Sequence, residues 1–178
     1  VALEAVFPAD FWRRIKLIRA ATPADSEGIL NVIEPVFRAG ETYTVPQDIS
    51  SQDALAYWLA GGHEVFVFEE GNQILGTYFL QANQRGGGAH VANCGYITAE
   101  AAAGRGIARA MCVHSLARAK ARGFKAMQFN FVVSTNERAV KLWLDLGFAI
   151  VGRLPGAFLH PKVGYVDALV MFRNLSEM

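Results

Sequence analysis

The chain has 178 residues, a length that fits one domain with a substantial core. Hydrophobic residues make up 52% and charged residues 19%, which excludes an intrinsically disordered chain. Lys and Arg total 17 against 16 Asp and Glu, a formal charge of +1, and this near-balance argues against a protein built mainly to grip nucleic acid or an acidic membrane.

Residues 1–14 are expected to form an N-terminal arm ahead of a single domain over 15–178. Glu4, Asp10, Arg13 and Arg14 interrupt the arm, so it does not read as a secretory signal, and Val1 in place of an initiator Met is expected of a trimmed or processed start. Residues 15–20 alternate apolar and polar, a strand pattern. Thr22-Pro23 reads as an N-cap followed by proline at the first helical position. Ile29, Leu30, Ile33, Val36 and Phe37 then make a helical stripe that Gly40 ends. Residues 41–49 are loop, and Ser50 with Asp53 resembles a capping box for a short helix ending at Gly61-Gly62.

Residues 63–69 and 73–83 read as two strands joined at Gly71-Asn72, a hairpin signal. A third strand covers 90–98. Residues 106–121 form a helix ended by Gly123, with His114 on its apolar stripe as a core histidine. The nearly continuous apolar run 124–133 is expected of a strand buried on both faces. A helix over 136–146 and strands over 148–154 and 164–173 complete the order βααβββαβαββ, an α/β arrangement on one central sheet. No repeat is present, and no apolar run approaches the ~18–20 residues of a membrane span, so a cytoplasmic protein is expected. Cys94 and Cys112 stand far apart, with neither CxxC nor zinc spacing, and no metal is expected.

The most informative stretch is Ala103-Gly104-Arg105-Gly106-Ile107-Ala108, between a strand and a helix. Two glycines and a small residue let backbone amides approach a bulky anion, and the helix start adds unpaired donors and positive dipole. A diphosphate is the natural guest, a tight turn the plain alternative. The stretch is not GxxxxGK[ST], because no Lys-Ser or Lys-Thr follows, nor GxGxxG, because Arg109 stands at the third glycine. Arg105 and Arg109 share one helix face and either reach phosphates or form a solvated basic face.

This loop resembles the [QR]xxGx[GA] phosphate motif of the GCN5-related N-acetyltransferase (GNAT) superfamily, with Ala103 where Gln or Arg is usual. A second block, Asn136-Glu137-Arg138-Ala139-Val140-Lys141-Leu142-Trp143-Leu144-Asp145-Leu146-Gly147-Phe148, resembles that family's NxxAxxLYxxxGF. The resemblance implies a GNAT fold: a single mixed sheet of about seven strands, splayed between the fourth and fifth and flanked by four helices. It implies acetyl-CoA as acetyl donor and transfer to an amine by direct attack in a ternary complex. The pantetheine arm is then expected along the backbone of Ile97 and Thr98, the oxyanion near the amide of Tyr96 or Ile97, and the diphosphate on Ala103, Gly104, Arg105, Gly106, Ile107, Ala108 and Arg109. A homodimer is also expected, with Phe7, Phe11 and Trp12 as a packing surface. The family's tyrosine, often the acid for the departing thiolate, is Trp143 here, and indole donates no proton usefully. Either another group serves, with Ser134 and Thr135 nearest in sequence, or the thiolate leaves without direct protonation.

Residues 90–96 and 129–136, with Leu154-Pro155, are similar to segments of the fungal azetidine-2-carboxylate N-acetyltransferases. This implies Asn93 at a substrate carboxylate, and Asn130 and Asn136 at substrate or CoA. From the residues themselves, Asn93 is equally a polar residue on a solvent face, and Asn136 a helix N-cap. Asn130 interrupts an apolar run, where a buried amide needs partners. Glu41, Tyr43, His90 and Glu100 are candidate bases, beside a water relay or direct binding of a neutral amine. Glu41-Thr42-Tyr43 with Tyr57 and Trp58 is expected to wall the acceptor site, unless Tyr57 and Trp58 are core. Cys94 reads as a small buried residue rather than a nucleophile. The alternatives to a small-molecule transferase are a peptide or protein acetyltransferase and a non-catalytic acetyl-CoA sensor.

Overall fold

The computed structural model describes residues 9–176. Seven strands form one sheet in the order β1-β2-β3-β4-β5-β7-β6. They are β1 (Ile18–Ala20), β2 (Glu64–Glu70), β3 (Gln73–Ala82), β4 (Val91–Thr98), β5 (Ala126–Val133), β6 (Ala149–His160) and β7 (Gly164–Asn174). The helices are α1 (Ala9–Ile15), α2 (Ser26–Ala39), α3 (Ser51–Trp58), α4 (Ile107–Ala121) and α5 (Glu137–Asp145). Among the described residues only β4 and β5 run parallel.

Local chemistry accounts for the element ends. Gly71 (φ 58°) and Asn72 (φ 61°) are both left-handed, the turn that matches strand twist in a two-residue hairpin. Ser50 Oγ accepts the amide of Asp53 at 3.0 Å and starts α3. Gly40, at φ 64°, ends α2. Asp25, ahead of α2, accepts the Thr22 amide (2.7 Å) and both terminal nitrogens of Arg19 (2.7 and 2.8 Å). The core lies on both faces of the sheet: Met111, Leu116, Met127 and Met171 on one, Ile29, Ile33, Phe37 and Trp58 on the other.

The structure departs from the sequence reading in four places. Among the described residues five helices flank the sheet rather than four, because α1 docks on α4 and sets Trp12 and Ile15 against the core. The Phe7 and Phe11 contacts expected of the arm lie outside the described residues and side chains. The first strand is confined to Ile18–Ala20, since residue 15 belongs to α1. The sixth strand runs on to His160, with pairing irregularities between Ile150 and Gly152 and between Leu154 and Phe158. The fifth strand is not buried on both faces: Gln128 is part-buried and Asn130 exposed, because the sheet opens beside it.

Candidate active site

The opening comes from a short pairing. β4 and β5 meet at Val91↔Ala126 and Ala92↔Met127 only. Beyond those residues β4 keeps its β3 partner as far as Gly76↔Thr98, while β5 follows β7. The register of β5 against β7 slips between Phe129 and Val132, so one extra residue bulges there and re-aims the strand. A cavity of about 520 Å³ fills the gap, lined by β4 from Asn93 to Thr98, β5 from Phe129 to Val133, and Asn136, Ala139 and Trp143 beside α5. Val36, Thr42, Tyr43, Thr44, Tyr57 and Phe79 close the opposite side.

Gly95 allows that closure. A Cβ there would lie 2.5 Å from Phe79 Cε1 and 3.1 Å from the Tyr43 hydroxyl. Tyr43 donates to the backbone carbonyl of Tyr96 at 3.1 Å. An isolated glycine inside a strand is the sequence sign of such a close approach, and sequence reasoning passed over it.

The glycine loop leads into α4 as the motif requires. Gly104 (φ 77°) and Gly106 (φ 78°) are both left-handed, where side chains are strained. Space beside Gly104 is open to 4 Å. Ala110 is the first residue of α4 whose amide bonds backward, to Gly106 O at 3.0 Å, so the amides of Ile107, Ala108 and Arg109 are the unpaired donors of a helix start. These features fit a diphosphate. Arg105 pairs with Glu70 and Arg109 with Asp145 at 3.2 Å, so both guanidiniums answer carboxylates. Sequence reasoning missed Arg14 of α1. Its guanidinium donates to Arg105 O and lies 2.9 Å from the Cβ position of Gly106, adding a cation over the loop. At the β4 end, Thr98 Oγ1 is buried with no hydrogen-bond partner among the described residues, a group left for a ligand to satisfy.

A chain of carboxamides runs across the mouth of the splay. Asn93 Nδ2 donates to Gln128 O (2.9 Å), Gln128 Nε2 to Asn130 Oδ1 (2.8 Å), and Asn130 Nδ2 to Asn83 Oδ1 (2.6 Å). Asn93 therefore stands where a ladder bond between β4 and β5 has been lost. The expectation that Asn130 is a buried amide is corrected: it is exposed on the bulged part of β5 and lines the cavity with its amide already engaged. Asn136 is an N-cap, accepting the Ala139 amide at 3.3 Å, and lines the cavity as well.

Five other predicted residues, Glu41, Ser134, Thr135, His90 and Glu100, are not brought to the cavity. Glu41 pairs with Lys162 of the β6–β7 turn, and that ammonium, with a smaller effect of His160, holds its carboxyl below the usual range. Ser134 lies off the lining, its amide bonded to Asp167 O at 2.9 Å. Thr135, His90 and Glu100 do not line it either; His90 Nδ1 meets Gly87 O at 3.1 Å. Trp143 is 7% exposed and packs on Tyr96 and Phe129, each at 5.1 Å between ring centres. Trp58 is core, its indole nitrogen donating to Thr77 Oγ1 at 3.0 Å, whereas Tyr57 reaches the cavity. Burial pushes the Tyr43 and Tyr57 phenols and the Cys94 thiol up, so all three stay protonated and neutral. The Tyr96 hydroxyl turns instead into the core, 2.6 Å from Ser115 Oγ. His114 Nδ1 sits 2.6 Å from the Tyr78 hydroxyl, a packing role.

A parallel pair that parts over a cavity, beside a glycine-led helix start, is the arrangement that the N-acetyltransferase resemblance implies. Residues 31–148 match the Acetyltransferase (GNAT) family, and the chain belongs to that family. A GCN5-related N-acetyltransferase from Kribbella flavida shares 40% identity with a TM-score of 0.84, over 88% of this chain and 96% of that one. N-acetyltransferase aca1 of Schizosaccharomyces pombe is 33% identical over 98 residues, 54% of this chain and 47% of its own length, so the match spans about half of that relative. A phosphinothricin acetyltransferase from Sinorhizobium meliloti, solved in complex with acetyl-CoA, shares the fold at 20% identity and a TM-score of 0.76, over 88% of this chain and 86% of that one. No helix among the described residues is long and apolar enough to cross a membrane.

Proposed function

We propose that the chain transfers the acetyl group of acetyl-CoA to the amine of a small molecule, an amino acid or proline analogue such as azetidine-2-carboxylate. The observation that carries this reading is the 520 Å³ cavity lying against the part of β4 that β5 leaves. An extended pantetheine arm fits beside that strand edge in the manner of an added strand. When bound, acetyl-CoA supplies an activated thioester. The loop amides from Ile107 to Arg109 would hold its diphosphate, Thr98 would offer its unsatisfied hydroxyl, and β4 would offer main-chain donors near Tyr96 and Ile97 as an oxyanion site.

The acceptor enters from the side of Tyr43 and Tyr57. Asn93 and Asn130 place carboxamide groups where a substrate carboxylate can meet them, and Asn136 stands at the junction with the donor arm. Holding both reactants in one cleft supplies much of the acceleration. Glu41 and Ser134, the other proposed catalytic residues, act at most from outside the cleft wall. A cytoplasmic location and a homodimer belong to the same reading; cell fractionation and light scattering test them.

The test of the activity is free-thiol release from acetyl-CoA with azetidine-2-carboxylate, proline, primary amino acids, polyamines and a lysine peptide. Release with the cyclic amino acids is the expected result. Release with the peptide alone would make this a protein acetyltransferase. Acetyl-CoA binding without release on any amine would favour the sensor reading that Trp143 suggests.

A further inference from the structure

The wall of the cleft has a chemical character of its own. Among the described residues that line it there is no carboxylate, ammonium, guanidinium or imidazole. Polar groups are present, but they are hydroxyls, carboxamides and main-chain atoms. The ionisable residues of the lining are Tyr43 from the α2–α3 loop, Tyr57 from α3, and Cys94 and Tyr96 from β4, the Tyr96 hydroxyl itself being turned into the core; β5 and α5 contribute none. Burial favours the neutral form of all four. The Glu41–Lys162 pair, with His160 beside it, lies off the lining.

An ammonium drawn from water into such a wall meets no counter-charge, and desolvation lowers its pKa. A free amine meets no such penalty and finds a partner. The Tyr43 hydroxyl spends its proton on Tyr96 O, leaving lone pairs on Oη to accept an N–H. We infer that this cleft selects the uncharged form of the acceptor amine, so that deprotonation happens in solution before binding and not on an enzyme side chain. An α-amino acid then enters as its anion, carboxylate toward the carboxamides of Asn93 and Asn130, with the amine lone pair free. The step balances without a base: the nitrogen lone pair forms the N–C bond, the C–S bond breaks, the nitrogen gives up one proton and the departing sulfur takes one. Polycations such as polyamines are disfavoured for the same reason.

This inference rests on the acceptor reading above, and the experiment separates the two. The pH dependence of kcat/KM is measured for the best acceptor of the panel and for a fluorinated analogue of similar shape but lower amine basicity. Each profile is expected to rise about tenfold per pH unit and to level at that amine's own pKa. The two inflections are thus displaced by the difference in amine basicity, and each kcat/KM becomes independent of pH when referred to free-base concentration. A shared inflection for both acceptors would mean a titrating group on the enzyme, and would overturn the inference while leaving the transferase standing. No turnover of any amine at any pH would overturn the transferase reading and the inference together.

Discussion

Single side chains in the cleft have two duties, and substitution separates them. Asn93 bonds to Gln128 O, a neutral hydrogen bond of about 1 kcal/mol, and on the proposed reading also faces the acceptor. Asn93→Ala is expected to raise the acceptor KM about tenfold, to lower Tm by about 2–4 °C, and to leave acetyl-CoA affinity in titration calorimetry unchanged. An equal loss of acetyl-CoA affinity would assign Asn93 to holding the splay alone. Tyr43→Phe removes a hydroxyl whose pKa is raised by burial, so the loss is of a neutral donor and lone pair, not of a phenolate base. A fall in kcat of about fivefold to tenfold, with the pH profile keeping its shape, is the expected kinetic result.

At the scale of elements, the loop before α4 joins backbone geometry to charge. Gly106 is left-handed and Arg14 crowds its Cβ position, while the helix dipole there favours an anionic ligand. Gly106→Glu is expected to weaken acetyl-CoA binding by roughly tenfold to a hundredfold, the worth of charge-assisted hydrogen bonds. Gly106→Gln isolates the strain, and the difference between the two affinities measures the charge. The loop and the α5 block were legible in sequence because glycine spacing and helix entry are local patterns. So were the hairpin at Gly71-Asn72 and the cap at Ser50. The exposure of Asn130 was not, since a bulge and a parted pair of strands depend on β7, over 30 residues further on. Nor were Arg14 and Tyr43 as neighbours of their backbone partners: each contact joins segments 91 and 53 residues apart.

For the whole molecule, acid stability is tied to the entry of α2. Asp25 is buried, and its pairing with Arg19, followed by hydrogen bonds from Thr22, holds its carboxyl below the ordinary range. A depressed folded pKa contributes stability above the unfolded value of about 3.9 and loses it as pH falls below that value. Asp25→Asn should therefore lower Tm at pH 7 and flatten the decline between about pH 4 and 2. An unchanged acid limb would place the proton uptake elsewhere.

The parted strands also bear on motion. From Asn93 to Thr98, β4 has a bonded neighbouring strand on one side only, as β5 does beyond Met127, in the middle of the sheet. Such a segment resembles an edge, with main-chain groups turned toward solvent. Amides that face the gap should exchange with deuterium sooner than those of β3, although both strands share one core. Saturating acetyl-CoA should slow exchange over 93–98 more than over 73–82, and raise Tm as the logarithm of its concentration. On the proposed reading the substrate completes the sheet, and part of the chain's own cohesion arrives with it.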